Sequence, residues 1–163
     1  MSRDAILKKF EPVADNLILI LHHLQAANPQ SYLNVEDLDR VVRYLNTTRA
    51  QVYGVVKYYS MFSLEPRGRN VIYFCISPVC RMMGGLDALQ VLEENLGIKL
   101  GETTADKLFT LEHSECLGHC DKAPMLMINQ EIHGDLTRKK IEALIRGLRK
   151  EAGQAAGKGE SHD

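Results

Sequence analysis

The segment from Val71 to Cys80 has the sequence VIYFCISPVC, which joins an apolar run to two cysteines. Residues Val71 to Ile76 are apolar on both faces of an extended chain, and this pattern is typical of a buried central strand. A turn-rich loop follows. We therefore expect Cys75 and Cys80 to lie where this strand ends.

The four cysteines of the chain form two close pairs. Cys75 and Cys80 have the spacing Cys-x4-Cys, and after 35 intervening residues Cys116 and Cys120 have the spacing Cys-x3-Cys. Two short chelating loops can supply the two thiolates per iron that a [2Fe–2S] cluster needs. The pattern predicts one iron–sulfur cluster per chain.

Other uses of four cysteines are less well matched by this spacing. A structural zinc site, in a protein-binding module without a redox role, is the main alternative, although zinc favours closer cysteine pairs. Two disulfides would require an oxidising compartment. The Cys-x-x-Cys motif of a redox dithiol is absent from the sequence.

Charge and apolar patterning give no argument for a nucleic-acid partner or for insertion into a membrane. The formal net charge is −1, which gives no argument for a polyanionic partner. The longest apolar run, Val71 to Ile76, is too short to cross a membrane. Because Met1 to Asp4 do not begin an apolar leader, we expect a cytoplasmic protein without membrane insertion.

The chain changes character near Glu65–Gly68, and the sequence predicts an N-terminal helical domain over residues 1–66. The first predicted helix spans Val13 to Ala27. Asn34 is placed to cap a second helix. Thr48 and Gln51 form a capping box for a third.

Residues 70–150 predict a second domain with the order strand, helix, strand, strand, helix. Both cysteine loops follow predicted strands, so adjacent strands would bring the loops to one edge of the sheet. A final helix, capped by Thr137 or Asp135, is expected to carry basic residues in its last turn. We expect a disordered tail over residues 152–163. The remaining predicted elements are the strands Leu108–Leu111 and Met125–Ile128, a short strand ending at His133, and a helix stopped by Gly97.

The motifs Cys75-Ile-Ser-Pro-Val-Cys80-Arg-Met-Met-Gly84 and Glu115-Cys116-Leu-Gly-His-Cys120 resemble the two cluster motifs of the complex I 24-kilodalton-subunit family. The second motif continues to Asn129, and Val52 to Phe62 resembles the end of the family's helical domain. This resemblance implies an α+β fold, with an N-terminal helical bundle followed by a thioredoxin-like [2Fe–2S] ferredoxin domain. By the same resemblance all four cysteines are cluster ligands.

The resemblance also implies a function and partners. It suggests an electron-transfer subunit that docks on a flavin- and NAD(H)-binding iron–sulfur subunit, with FMN and NAD(H) bound there and further iron–sulfur subunits in the complex. Such complexes include NADH dehydrogenase and soluble NAD-linked hydrogenases and formate dehydrogenases, some of them electron-bifurcating. The chain has no G-x-G-x-x-G fingerprint after a strand, so it is expected to be an accessory subunit rather than an enzyme alone. A free-standing ferredoxin is a further alternative, opposed by the helical extension.

Several other residues carry simpler expectations. Four methionines are expected to pack around the cluster or in the core: Met82, Met83, Met125 and Met127. His22, His23 and His119 are expected at the surface. An exposed apolar patch is predicted at the end of the third helix and to mark an interface: Tyr58, Tyr59, Met61 and Phe62.

Overall fold

A computed structural model describes residues 2–157 of the chain. The chain divides into two units, Met1–Arg67 and Gly68–Asp163. We call them the N-terminal and the C-terminal unit, and we propose that they are the two domains predicted over 1–66 and 70–150. The α+β class predicted from the sequence is confirmed.

The N-terminal unit contains the helices α1 (Arg3–Leu7), α2 (Leu17–Ala26), α3 (Val35–Tyr44) and α4 (Arg49–Tyr58). Both predicted caps are confirmed: the Asp37 amide donates to the Asn34 side chain over 2.7 Å, and Thr48 with Gln51 forms a complete capping box. The prediction for the first helix was too long, because Ala14–Asn16 forms a 3-10 turn before α2. The sequence reasoning missed α1, which Ser2 caps.

The apolar faces of these helices share one core. Its fully buried members include Ile20, Leu21, Leu24, Leu38, Val41 and Val52. The Gln25 side chain bonds to Met61 and Ser63 at 2.8 and 2.9 Å, which draws the segment after α4 onto α2. Phe62 is consequently buried and Met61 is half-buried against the core, so the predicted exposed patch was wrong for these two residues and retains Tyr58 and Tyr59.

The C-terminal unit contains a four-stranded sheet with the order β2-β1-β3-β4. Its strands are β1 (Asn70–Cys75), β2 (Phe109–Ser114), β3 (Leu126–Ile128) and β4 (Glu131–His133). β1 is central, as the apolar run predicted, and pairs parallel with β2 and antiparallel with β3. The last two strands form an antiparallel pair.

Three helices complete this unit: α5 (Pro78–Cys80), α6 (Leu86–Leu96) and α7 (Arg138–Gly157). The left-handed Gly97 ends α6, and Thr137 caps α7 by accepting from the Lys140 amide. The apolar faces of α6 and α7 pack in one cluster with β1, β2 and β3.

The end of α7 differs from the prediction. The helix continues to Gly157, so the basic residues Arg146, Arg149 and Lys150 lie in its middle and residues 152–157 are helical rather than disordered. Ala152 and Gln154 have good helix propensity, which outweighs Gly153. Residues 158–163 of the predicted tail lie outside the described residues. Over the described range, no helix is long and apolar enough to cross a membrane.

Candidate metal centre

The parallel pairing of β1 with β2 brings the two cysteine loops together. Cys75 is the last residue of β1, and its partner in the ladder is Ser114 at the end of β2. The Ile76 amide donates to the Ser114 carbonyl over 3.0 Å, which continues the pairing into the loops. Cys116 follows two residues later. The expectation that both loops leave one edge of the sheet is therefore confirmed.

The first loop folds back so that Cys80 returns to Cys75. Ser77 is extended, and Pro78 begins the short helix α5, where a proline needs no amide donor. Both thiols are buried, with exposures of 1% for Cys75 and 0% for Cys80. The turn that follows packs tightly, because a Cβ on Gly85 would lie 2.6 Å from the Cys80 carbonyl oxygen.

The second loop is open to solvent. Cys116 and Cys120 are exposed, and their Sγ atoms lie 3.5 Å apart. Gly118 between them has a φ of 85°, a left-handed conformation that glycine adopts without strain. A 3-10 turn at Cys120–Lys122 then leads to the cis Ala123–Pro124 bond.

Hydrogen-bond donors surround the buried sulfurs. The Cys75 Sγ lies 3.3 Å from the Ser77 hydroxyl. Burial raises the pKa of Cys75, but hydrogen bonds from the Ser77 hydroxyl and amide, the Leu117 amide and Cys80 together lower that pKa below its ordinary value. Leu117 belongs to the second loop and packs against the buried cluster of Cys75 and Cys80, so the two loops meet there.

The pKa values of Cys80 and Cys120 are both raised above the ordinary value of a cysteine thiol. Burial, followed by the hydrogen bond with Cys75, raises the pKa of Cys80, although the Met125 amide acts in the opposite sense. The hydrogen bond with Cys116 raises the pKa of Cys120, and the charges of Cys116 and Cys75 add to that rise.

This donor set fits a [2Fe–2S] cluster. Within residues 2–157, no three His, Cys, Asp or Glu side chains converge to hold a single metal ion. The sulfurs form two pairs, and a [2Fe–2S] cluster takes two thiolates at each iron. Amides directed at sulfur also suit a cluster with anionic ligands, because they offset its negative charge. The ligand assignment stays a prediction.

The surroundings of the cysteines correct two expectations. Met125 is buried in a small cluster with Cys75, Cys80 and Ala123, as expected. Met82 and Met83 are 85% and 60% exposed, so the prediction that they pack inward was wrong. They lie in a π-type turn, Arg81–Gly85, which departs from helical geometry at Met83 and Gly84 and carries both side chains outward.

The histidines lie at the surface as expected. His119 is exposed in the second loop, and His22 and His23 are exposed on α2, where their rings contact Phe62 and Phe10. Sequence reasoning missed the donors Ser77, Leu117 and Met125. The Ser-Pro dipeptide after Cys75 was a usable signal for Ser77, whereas the two amide donors depend on how the loops meet.

Comparison with known proteins agrees with this arrangement. The family model for thioredoxin-like [2Fe-2S] ferredoxin matches residues 3–149. An NADH-quinone oxidoreductase subunit of Rickettsia felis is 38% identical over 141 residues, covering 86% of this chain and 84% of that protein. The corresponding protein of Rickettsia bellii is 37% identical over 145 residues, covering 88% and 87% respectively.

Two solved structures of an NAD+-reducing [NiFe]-hydrogenase are also similar. The air-oxidized form has a TM-score of 0.75 at 23% identity, which supports the fold alone. The H2-reduced form has a TM-score of 0.74 at 25% identity. The matches cover 86% and 85% of this chain but 24% and 23% of the hydrogenase chains. By its family match and its curated relatives, the chain belongs to the thioredoxin-like [2Fe–2S] ferredoxin family, in the complex I 24-kilodalton-subunit group that its motifs resemble.

Proposed function

We propose that the chain is the [2Fe–2S] electron-transfer subunit of a multisubunit NAD(H)-linked flavoprotein oxidoreductase. The observation that carries this proposal is the meeting of the two cysteine loops at one end of the sheet, where Leu117 of the second loop packs against the buried Cys75 and Cys80. Cys75, Cys80, Cys116 and Cys120 would hold the cluster. When bound, the cluster supplies one-electron transfer; the chain supplies its ligands and their environment.

The environment is different on the two sides of the site. On the inner side Cys75 and Cys80 are enclosed by Ala123, Met125 and Leu117, which exclude water from the buried sulfurs. On the outer side the loop of Cys116 and Cys120 is exposed. Because electron transfer needs a short path, the outer side is the one a redox partner would approach.

The relatives support a proposal for the partner. Similarity to subunits of NADH-quinone oxidoreductase and to an NAD+-reducing hydrogenase supports a flavin- and NAD(H)-binding iron–sulfur subunit as the partner, with FMN and NAD(H) bound there. Further iron–sulfur subunits, a cytoplasmic location and a role in electron bifurcation belong to the same proposal. Tyr58, which is 82% exposed, and Tyr59 offer a contact surface on the N-terminal unit. Purification from the native host, with identification of the copurifying subunits, tests this assignment.

Metal and sulfide analysis of the purified chain tests the cluster. We expect about two irons and about two acid-labile sulfides per chain, with visible absorption. Cys116→Ser should lose or strongly alter that absorption while the far-UV circular dichroism remains mostly unchanged. His119→Ala, in the same loop, is the matched control and should keep the iron content. Zinc without sulfide would instead identify a zinc-stabilised binding module.

A further inference from the structure

The two thiol pairs are unequally accessible to reagents in solution. We call Cys75 and Cys80 the inner pair and Cys116 and Cys120 the outer pair. All four are free thiols, but the inner pair is buried and the outer pair is exposed. A small disulfide oxidant in solution can therefore reach the sulfurs of the outer pair before those of the inner pair.

The outer pair is also close to disulfide geometry. Its Sγ atoms lie 3.5 Å apart, and an S–S bond of about 2.05 Å requires a small approach of the two side chains. The intervening loop can tighten, because Gly118 is left-handed and nothing lies within 4 Å of where its Cβ would be. Closing so short a loop costs little chain entropy.

The inner pair lacks this freedom. Cys75 belongs to β1, and its amide donates to the Met125 carbonyl over 3.2 Å. Cys80 lies in α5, directly before the turn in which Gly85 packs against the Cys80 carbonyl. Both sulfurs are enclosed by Ala123 and Met125. A reagent would have to open the fold to reach them.

We propose that the outer pair is a reversible thiol–disulfide site in the cluster-free chain, oxidised by a low-molecular-weight disulfide such as glutathione disulfide. One outer thiolate attacks a sulfur of the glutathione disulfide, forms a mixed disulfide and releases one glutathione thiol. The second outer thiolate then attacks the protein sulfur of the mixed disulfide and releases the second glutathione thiol. The protein loses two electrons and two protons, and the glutathione disulfide gains both.

This site has a consequence for cluster loading. A chain with the outer disulfide retains only the inner pair as free thiols, so it cannot offer four sulfur ligands. A dithiol reductant would have to reopen the Cys116–Cys120 bond before a cluster is inserted. The inference goes beyond the proposed function and uses it only for this consequence.

Peptide mapping of the cluster-free full-length chain tests the proposal. The chain is treated anaerobically with glutathione disulfide, unfolded, alkylated and digested. The expected product is one peptide pair joined through Cys116 and Cys120, with Cys75 and Cys80 alkylated, and dithiothreitol should return all four cysteines to the alkylated state. A disulfide that involves Cys75 or Cys80, or an outer pair that stays reduced, would overturn the proposal.

Two variants sharpen the measurement. Cys120→Ser removes the second nucleophile, so Cys116 should accumulate as the glutathione mixed disulfide. His119→Ala, an exposed residue of the same loop that carries no thiol, is the matched control and should form the outer disulfide to the same extent as the natural chain. Iron and sulfide analysis reports separately on the proposed function, so either idea can fail without the other.

Discussion

The core of the N-terminal unit and the cysteine end of the C-terminal unit use their buried residues differently. In the N-terminal unit the main buried cluster consists of aliphatic and aromatic side chains, and their role is packing. At the cysteine end the buried group contains Cys75 and Cys80 themselves, with Met125 and Ala123. A core substitution in the first region should change stability alone, whereas one at the cysteine end should change stability and chemistry together.

The largest expected effect comes from the N-terminal core. Leu38 is fully buried on α3, so Leu38→Ala leaves a cavity and should lower the free energy of unfolding by about 3 kcal/mol. Urea denaturation followed by far-UV circular dichroism measures the change. Val35→Ala on the same helix is the control, because Val35 is 61% exposed and should shift stability by at most about 0.5 kcal/mol. Loss of the visible absorption of folded Leu38→Ala would contradict the separation of packing from chemistry.

A pair of glycine substitutions makes the comparison sharper. Gly85→Ala would place a Cβ 2.6 Å from the Cys80 carbonyl oxygen, so the first cysteine loop must shift. We expect a loss of about 1–3 kcal/mol together with an altered visible circular dichroism spectrum. Gly54→Ala in α4 meets nothing within 4 Å and should stabilise the protein by about 0.5–1 kcal/mol without a spectral change. An unchanged spectrum for Gly85→Ala would show that the loop does not position the ligands.

In the helices, the features that depend on a few neighbouring residues could be predicted from the sequence, whereas some helix ends could not. The cap of α3 pairs the Asn34 side chain with the Asp37 amide, and the cap of α4 pairs Thr48 with Gln51. In both caps the partners lie three residues apart, so local sequence determines them. The short α1 has too few residues for an apolar repeat, and this is why periodicity missed it. The long α7 was cut short because a glycine-containing, polar segment was interpreted as a tail.

At the candidate site, the sequence predicted which cysteines form the site better than it predicted how the neighbouring side chains are placed. Cysteine spacing and a buried β1 predicted one edge of the sheet for both cysteine loops on the condition that the two preceding strands are adjacent, and the pairing of β1 with β2 meets that condition. The packing of Leu117 against Cys75 and Cys80 depends on the approach of two loops that lie far apart in sequence, and no local pattern encodes it. The outward turn of Met82 and Met83 depends on a π-type turn, whereas their apolar character alone suggested burial.

The smallest expected effect is a pH dependence in the N-terminal unit. The His22 ring packs against Phe62 with 5.0 Å between centroids. His22 is exposed overall, but partial desolvation of its ring, followed by the charge of the neighbouring His23, lowers the pKa of His22 below its ordinary value. In the pH range just below the ordinary pKa of histidine, the unfolded chain therefore binds more protons at this position than the folded chain does.

The lowered pKa of His22 makes the folded chain less stable as the pH falls. The stability that neutral His22 contributes is fully present above the ordinary histidine pKa and is lost as the pH falls through that value toward the lowered one. His22→Gln cannot be protonated, so the free energy of unfolding of this variant should decrease less between about pH 7 and about pH 5. Urea denaturation at a series of pH values measures the difference between the variant and the natural chain. Identical pH profiles would show that the contact of His22 with Phe62 tolerates the charged imidazole, and that this edge of the N-terminal core is not sensitive to protonation.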